Sequence, residues 1–168
     1  MGAWGGSLMR RLIGTFAIVA VLVGMLAGPA SAASQGRTVV ARISGGGTAL
    51  MQPTSFAQGI THWGAGVTLY AGGSASGHID CVDQQGGSLP GNIFGEVTGW
   101  SGNLNGGPIT LHVVGKFVGH GGHPQAQEFN VTIQQFGGPG VGRWTLDIGG
   151  FIFCVEVVTS GQIVLRRA

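Results

Sequence analysis

The sequence is poorest in charge. Asp, Glu, Lys and Arg make up 8% of its 168 residues, against roughly a quarter in ordinary globular chains. Disordered chains are rich in charge and poor in apolar residues, so a chain that is also 43% hydrophobic is a folded one. What charge there is does not accumulate along the chain. Arg10 and Arg11 fall in the leader discussed below, leaving Arg37, Arg42, Lys116, Arg143, Arg166 and Arg167 against Asp80, Asp83, Glu96, Glu128, Asp147 and Glu156. A formally neutral domain without a basic run offers no stripe to a phosphate backbone, so nucleic acid is not an expected partner. Nor is there a polybasic segment for anionic lipid. Catalytic signatures are missing too: no G-x-S-x-G elbow, no H-E-x-x-H and no closely spaced acidic pair. No catalytic residue, metal site or cofactor is expected from the motifs.

What is present begins with an export signal. Met9-Arg10-Arg11 forms a positive start, Leu12 to Gly28 is an almost unbroken apolar run, and Pro29-Ala30-Ser31-Ala32 sets small residues before a cut between Ala32 and Ala33. The run is short for a membrane span of about 20 residues and contains internal glycines. The expectation is a signal peptide over residues 1–32, with Met9 as a second possible start. A single secreted domain over residues 33–168 follows, with no stable membrane insertion after cleavage. The two cysteines, Cys81 and Cys154, both lie in that domain. An even count in an oxidising compartment predicts one disulfide. Closing a loop of about 74 residues would add roughly 4 kcal/mol in the chain-entropy picture.

Glycine is abundant, at 35 residues, without the Gly-X-Y period of collagen. It punctuates short alternating runs. Arg37 to Ile43 stops at Ser44-Gly45-Gly46-Gly47, Val67–Ala71 and Ser76–Asp83 flank a glycine turn as a hairpin, and Asn92–Trp100 follows. In Ile109–Val118, Ile109, Leu111, Val113 and Phe117 share one face. In Glu128–Gln134, Phe129, Val131 and Ile133 oppose Glu128, Asn130, Thr132 and Gln134. Arg143–Ile148, Phe151–Val158 and Gln162–Arg166 complete the set, while Met51 to Gly66 is unassigned apart from a possible strand over 55–63. No helical period occurs after residue 32. The fold class is all-β, an antiparallel sandwich or small closed barrel of about eight or nine strands.

The order of Ser44-Gly-Gly-Gly-Thr48, the run from Gly72 through Gly-Ser-Ala-Ser-Gly-His-Ile-Asp-Cys to Val82, Gly95-Glu-Val-Thr98, Gly137-Gly-Pro-Gly-Val-Gly142 and Gly161-Gln-Ile-Val164 resembles a group of small secreted bacterial β domains. These stand alone or end larger exported proteins, sometimes after cell-surface anchoring modules. The resemblance covers most of residues 37–166 and implies an exported β-sandwich or β-barrel module. That group has no assigned activity, so no site residue follows from it.

Among polar residues, His78 and Asp80 face the same way at i and i+2, and with Glu96 or His112 from a neighbouring strand they could form an acid–base pair or ligand set. The ordinary reading is a solvated outer face. His120-Gly-Gly-His123 has two imidazoles but too few further donors for zinc, and reads as a loop. Gly137–Gly142 lacks the Lys-Ser/Thr of a phosphate loop and reads as a turn. Trp63, Trp100, Trp144 and Tyr70 could form a sugar platform, with core filling the expected use.

These features point first to a non-enzymatic secreted β scaffold for an extracellular partner. Second comes a barrel holding a small apolar ligand against Phe129, Val131, Phe151 and Phe153. Third is a hydrolase or isomerase built on His78, Asp80 and Glu96. The leader generates one direct test: the exported product is expected to start at Ala33 by intact mass, whereas a full-length species fractionating with membranes would make the run an anchor.

Overall fold

In the computed structural model, residues 37–53, 55, 59–83, 91–119 and 122–168 are described. The segment read as an export leader, with the expected Ala32–Ala33 cut, and His120 of the two-histidine motif lie outside them. Alternating apolar residues and glycine turns produce eight strands: β1 (Val39–Met51), β2 (Ile60–Tyr70), β3 (Ala75–Asp83), β4 (Gly91–Gly102), β5 (Ile109–Gly119), β6 (Gln125–Gln135), β7 (Arg143–Ile148) and β8 (Phe151–Arg167). Each pairs antiparallel with the next, and β8 returns to pair with β1. The result is a closed up-and-down barrel, which decides between the two expected architectures.

Odd-numbered strands end at the top of the barrel, at Met51, Asp83, Gly119 and Ile148; even-numbered ones end at the bottom. The start of β1 and the end of β8 are neighbours at the bottom, where the Ala168 N–H donates to Val40 O at 3.1 Å. Period-two alternation holds along the walls. Phe129, Val131 and Ile133 are buried as the sequence predicts, and so are Ile109, Leu111 and Val113, with Phe117 partly buried against them. Inside, Trp63 and Trp144 meet edge to face with ring centroids 4.6 Å apart. Trp100 is half-buried, its indole N–H donating to Tyr70 O at 2.9 Å. The tryptophans therefore fill and brace the core rather than form an outer platform, and of the four aromatics Tyr70 keeps its ring on the outer face.

Two strand expectations are corrected. β1 does not stop at Ser44 but runs through Gly45, Gly46 and Gly47 to Met51. The reason lies on strands distant in sequence. A Cβ on Gly45 would sit 2.7 Å from the end of the Trp63 indole and 2.3 Å from Gln162 O. Glycine here makes room for an aromatic core residue instead of ending the strand. Likewise Phe151–Val158 and Gln162–Arg166 are one strand, β8, carried through Gly161 at φ +77°. A Cβ on Gly161 would lie 1.8 Å from Gly46 O, so β1 and β8 approach closely only because both lack side chains there.

The expected Cys81–Cys154 disulfide is also corrected: both cysteines are free and buried. They stand on β3 and β8, which are separated by β1 and β2 around the barrel. Each thiol hydrogen-bonds a carboxylate oxygen rather than meeting the other sulfur.

Two outcomes follow from this seam and these thiols. Gly161→Ala is expected to destabilise the barrel by about 1–3 kcal/mol in urea unfolding, through its left-handed backbone and the lost approach to β1. Thiol titration in guanidinium without reductant is expected to count two free thiols, and none where the barrel is folded.

Candidate functional site

The outer wall carries the polar residues singled out in the sequence. β3 pairs with β4 so that His78 stands directly opposite Glu96. His78 Nδ1 lies 3.5 Å from Glu96 Oε1, and Nε2 lies 3.9 Å from Asp80 Oδ1. His78, Asp80 and Glu96 are thus brought together. All three are well exposed, with side-chain exposures of 49%, 35% and 74%. An imidazole between two carboxylates in open solvent can hydrogen-bond a ligand, but it lacks the water-excluding walls that acid–base catalysis uses. With Phe94 and Lys116 the histidine and Glu96 line a shallow depression of about 390 Å³.

His112 does not join this group. It faces Asn130 across the β5–β6 pair, its Nδ1 2.8 Å from Asn130 Oδ1. An amide oxygen only accepts, so Nδ1 carries the proton and Nε2 of the neutral ring is left as an acceptor. His112 and Asn130, with Thr98, Glu128 and Asp147, line a second depression of about 470 Å³. Asp147 is held in place by accepting the Gly150 N–H at 2.9 Å. The two depressions meet at Val114, which is half exposed.

A second polar group lies inside the barrel, and sequence reasoning did not single it out. Glu156 on β8 is 1% exposed and Thr61 on β2 is fully buried. The Thr61 hydroxyl donates to Glu156 Oε2. The Cys154 and Cys81 thiols both donate to Oε1, at 3.2 and 3.6 Å, and the Trp144 indole adds a further hydrogen bond. The signal for it was present in Phe-Ile-Phe-Cys-Val-Glu-Val-Val: alternation puts Cys154, Glu156 and Val158 on one face. Thr61 lay in the segment without an assigned strand.

Burial in this apolar interior holds the Glu156 carboxyl above its ordinary value of 4.5, while the bonds from Thr61, Cys154, Cys81 and Trp144 oppose the rise. Burial, with the Glu156 charge adding to it, likewise pushes both thiols up, so they remain thiols. The cluster accommodates either form of the acid. Ionised, Glu156 accepts from all four donors. Neutral, its own O–H donates to Thr61, whose proton turns to Ala49 O at 3.5 Å. The adjoining cavity, between Ile79, Ile93, Val131, Leu146 and these groups, measures about 10 Å³, the space of about one water. Of the residues expected to line an apolar chamber, Val131 alone borders it; Phe129 is packed in the core, Phe151 is exposed, and Phe153 meets Phe117 edge to face at 6.1 Å.

Compared with protein-family profiles, curated proteins and solved structures, the chain matches none.

The interior acid predicts a pH dependence. A carboxyl whose pKa is higher folded than unfolded contributes stability that is complete in acid, below the ordinary value of 4.5. That contribution falls as pH rises above 4.5 and is gone once pH passes the raised folded value. Glu156→Gln keeps the neutral shape, so its stability relative to wild type is expected to rise between pH 4 and 8 in denaturant titrations. Glu156→Ala takes the acceptor from the Cys81 and Cys154 thiols and opens a cavity, and is expected to cost about 2–4 kcal/mol near pH 4 and less as pH rises.

Proposed function

We propose that the protein is an exported, non-enzymatic barrel that works through its outer wall, binding a donor-rich ligand across β3–β7. One observation carries this reading. The interior cavity beside Glu156 measures about 10 Å³, while the wall holds two contiguous depressions of about 390 and 470 Å³, the size range of small-ligand sites. The charged groups of their linings are three carboxylates, Glu96, Glu128 and Asp147, against the one ammonium of Lys116, and Nε2 of His112 is a further acceptor. Such a surface suits the hydroxyls and amines of an amino-sugar oligomer, with Val114 and Phe94 under its apolar faces. The wall strands are part of a closed sheet, so the site is presented without reorganisation.

A second reading rests on Glu156. A small apolar ligand with one polar group would use that acid as its anchor, after the Phe117–Phe153 pair parts to admit it.

Chitosan oligomers distinguish the two by amide chemical-shift mapping. The wall reading expects shifts at His78, Glu96, His112 and Asn130 that Val114→Arg abolishes, with the oligomer recovered uncleaved. No wall shifts with chitosan, together with shifts at the Trp63 and Trp144 indoles on adding a small apolar alcohol, would favour the interior, and shortened chitosan oligomers would make the protein an enzyme.

A further inference from the structure

Closure of the barrel gathers charges that the sequence keeps at opposite ends. Arg42 on β1 and Arg166 on β8 are directly opposed and exposed, with Cβ atoms about 5 Å apart as cross-strand neighbours. Arg167 stands opposite Ala41, and its guanidinium donates to Asn105 Oδ1 at 3.0 Å. Arg37, just before β1, lies over the Tyr70 ring at 5.4 Å from its centroid. Arg37, Arg42 and Arg166 therefore share the outer face at the bottom of the barrel, and Arg167, paired with inward-facing Ala41, turns toward the bottom mouth beside them.

No acid accompanies them. β1 and β2 contain none, and the one carboxylate of β8 is Glu156, enclosed inside. None of the four is in an ion pair with a described residue. Like charges directly opposed on neighbouring strands repel, and no side-chain carboxylate among the described residues pairs with them. The exposed Glu96 and Glu128 and the partly exposed Asp80 and Asp147 stand on β3, β4, β6 and β7, so the molecule has a cationic edge and an acidic wall.

Guanidinium forks bind planar oxyanions through paired hydrogen bonds. Between the four arginines lie neutral hydrogen-bonding groups. Thr68 accepts from Arg42 Nη1 at 3.2 Å, Tyr70 and Ser76 share a bond of 2.9 Å, and Asn105 faces Arg167. We propose that this edge binds an acidic polysaccharide, its carboxylate or sulfate groups on the arginines and its hydroxyls on Thr68, Tyr70 and Asn105. Single-stranded nucleic acid is bound through several stacking rings, and this edge has one, already covered by Arg37. Anionic bilayers are held by cations beside inserting apolar side chains. Here Leu50, Ile60, Phe151 and Ile152 are at the top, and among the described residues Val141 is the one large exposed aliphatic residue at the bottom. Apart from Asn105, in the β4–β5 connection, the edge is built on β1, β2, β3 and β8 and shares no residue with the linings of the two depressions.

The test measures retention of the purified protein on immobilised heparin and polygalacturonate under a salt gradient. Binding to at least one is expected, released by salt. Arg42→Gln with Arg166→Gln is expected to weaken it about tenfold or more. Lys116→Gln with Arg143→Gln, the same charge loss on other faces, is expected to leave it within about twofold. The first variant should melt no lower than wild type, because a repulsion has been removed. Absence of binding to both polymers at low salt would overturn the proposal. Equal weakening by the two double variants would reduce it to diffuse charge attraction and overturn it as well. Tighter binding of a single-stranded DNA oligonucleotide, or of phosphatidylserine vesicles, at the same salt would give the edge to that partner instead.

Discussion

An open eight-stranded sheet of this composition would expose two long edges of unpaired N–H and C=O groups, each a template for aggregation. Pairing of β1 with β8 removes both. It asks for an unusually close approach of two strands from opposite ends of the chain, met by glycines at 45, 47 and 161, where any side chain would strike backbone of the partner strand. This seam lets a domain with so few surface charges remain self-contained. It also creates the enclosed space in which Glu156 is shut away from water, and it alone makes Arg42 a neighbour of Arg166.

The enclosed carboxyl is the least ordinary part of the interior. A buried acid loses several kcal/mol of hydration if it ionises, and a barrel this well filled could have held an aliphatic residue instead. Four donors converge on it, and Thr61 can reverse its hydrogen bond to suit either protonation state. Such an arrangement fixes the inward rotamers of Cys81, Cys154 and Trp144 together, so polar satisfaction and core packing on β3, β7 and β8 form a single network.

Legibility in the sequence followed the range of the interactions. β5 and β6 could be read because their alternation is a local property, and the same alternation made the all-β class and the wet outer face plain. The sequence offered Glu96 or His112 as a partner for His78, and the choice of Glu96 follows only from the β3–β4 register. The long glycine-bearing strands were misjudged. Gly45 looks like a terminator locally, and its use is visible only once the Trp63 indole is laid across it. The disulfide expectation failed for a related reason. Counting cysteines identifies possible partners, but not that a carboxyl from β8 stands between them and takes both S–H groups. The arginine edge was illegible in principle, since 124 positions separate Arg42 from Arg166 until the barrel closes.

The adjacency of the first and last strands at the bottom rim has a mechanical side. Any chain joined before Val39 or after Arg167 leaves from the same rim, beside the hydrogen bond between Ala168 and Val40. Pulling on both ends at once would load the β1–β8 ladder one bond at a time, as a zipper opens, whereas pulling on one end against a ligand on the β4–β5 wall would shear many bonds together. A barrel tethered by one end would thus resist force transmitted through that wall far better than force applied between its own termini.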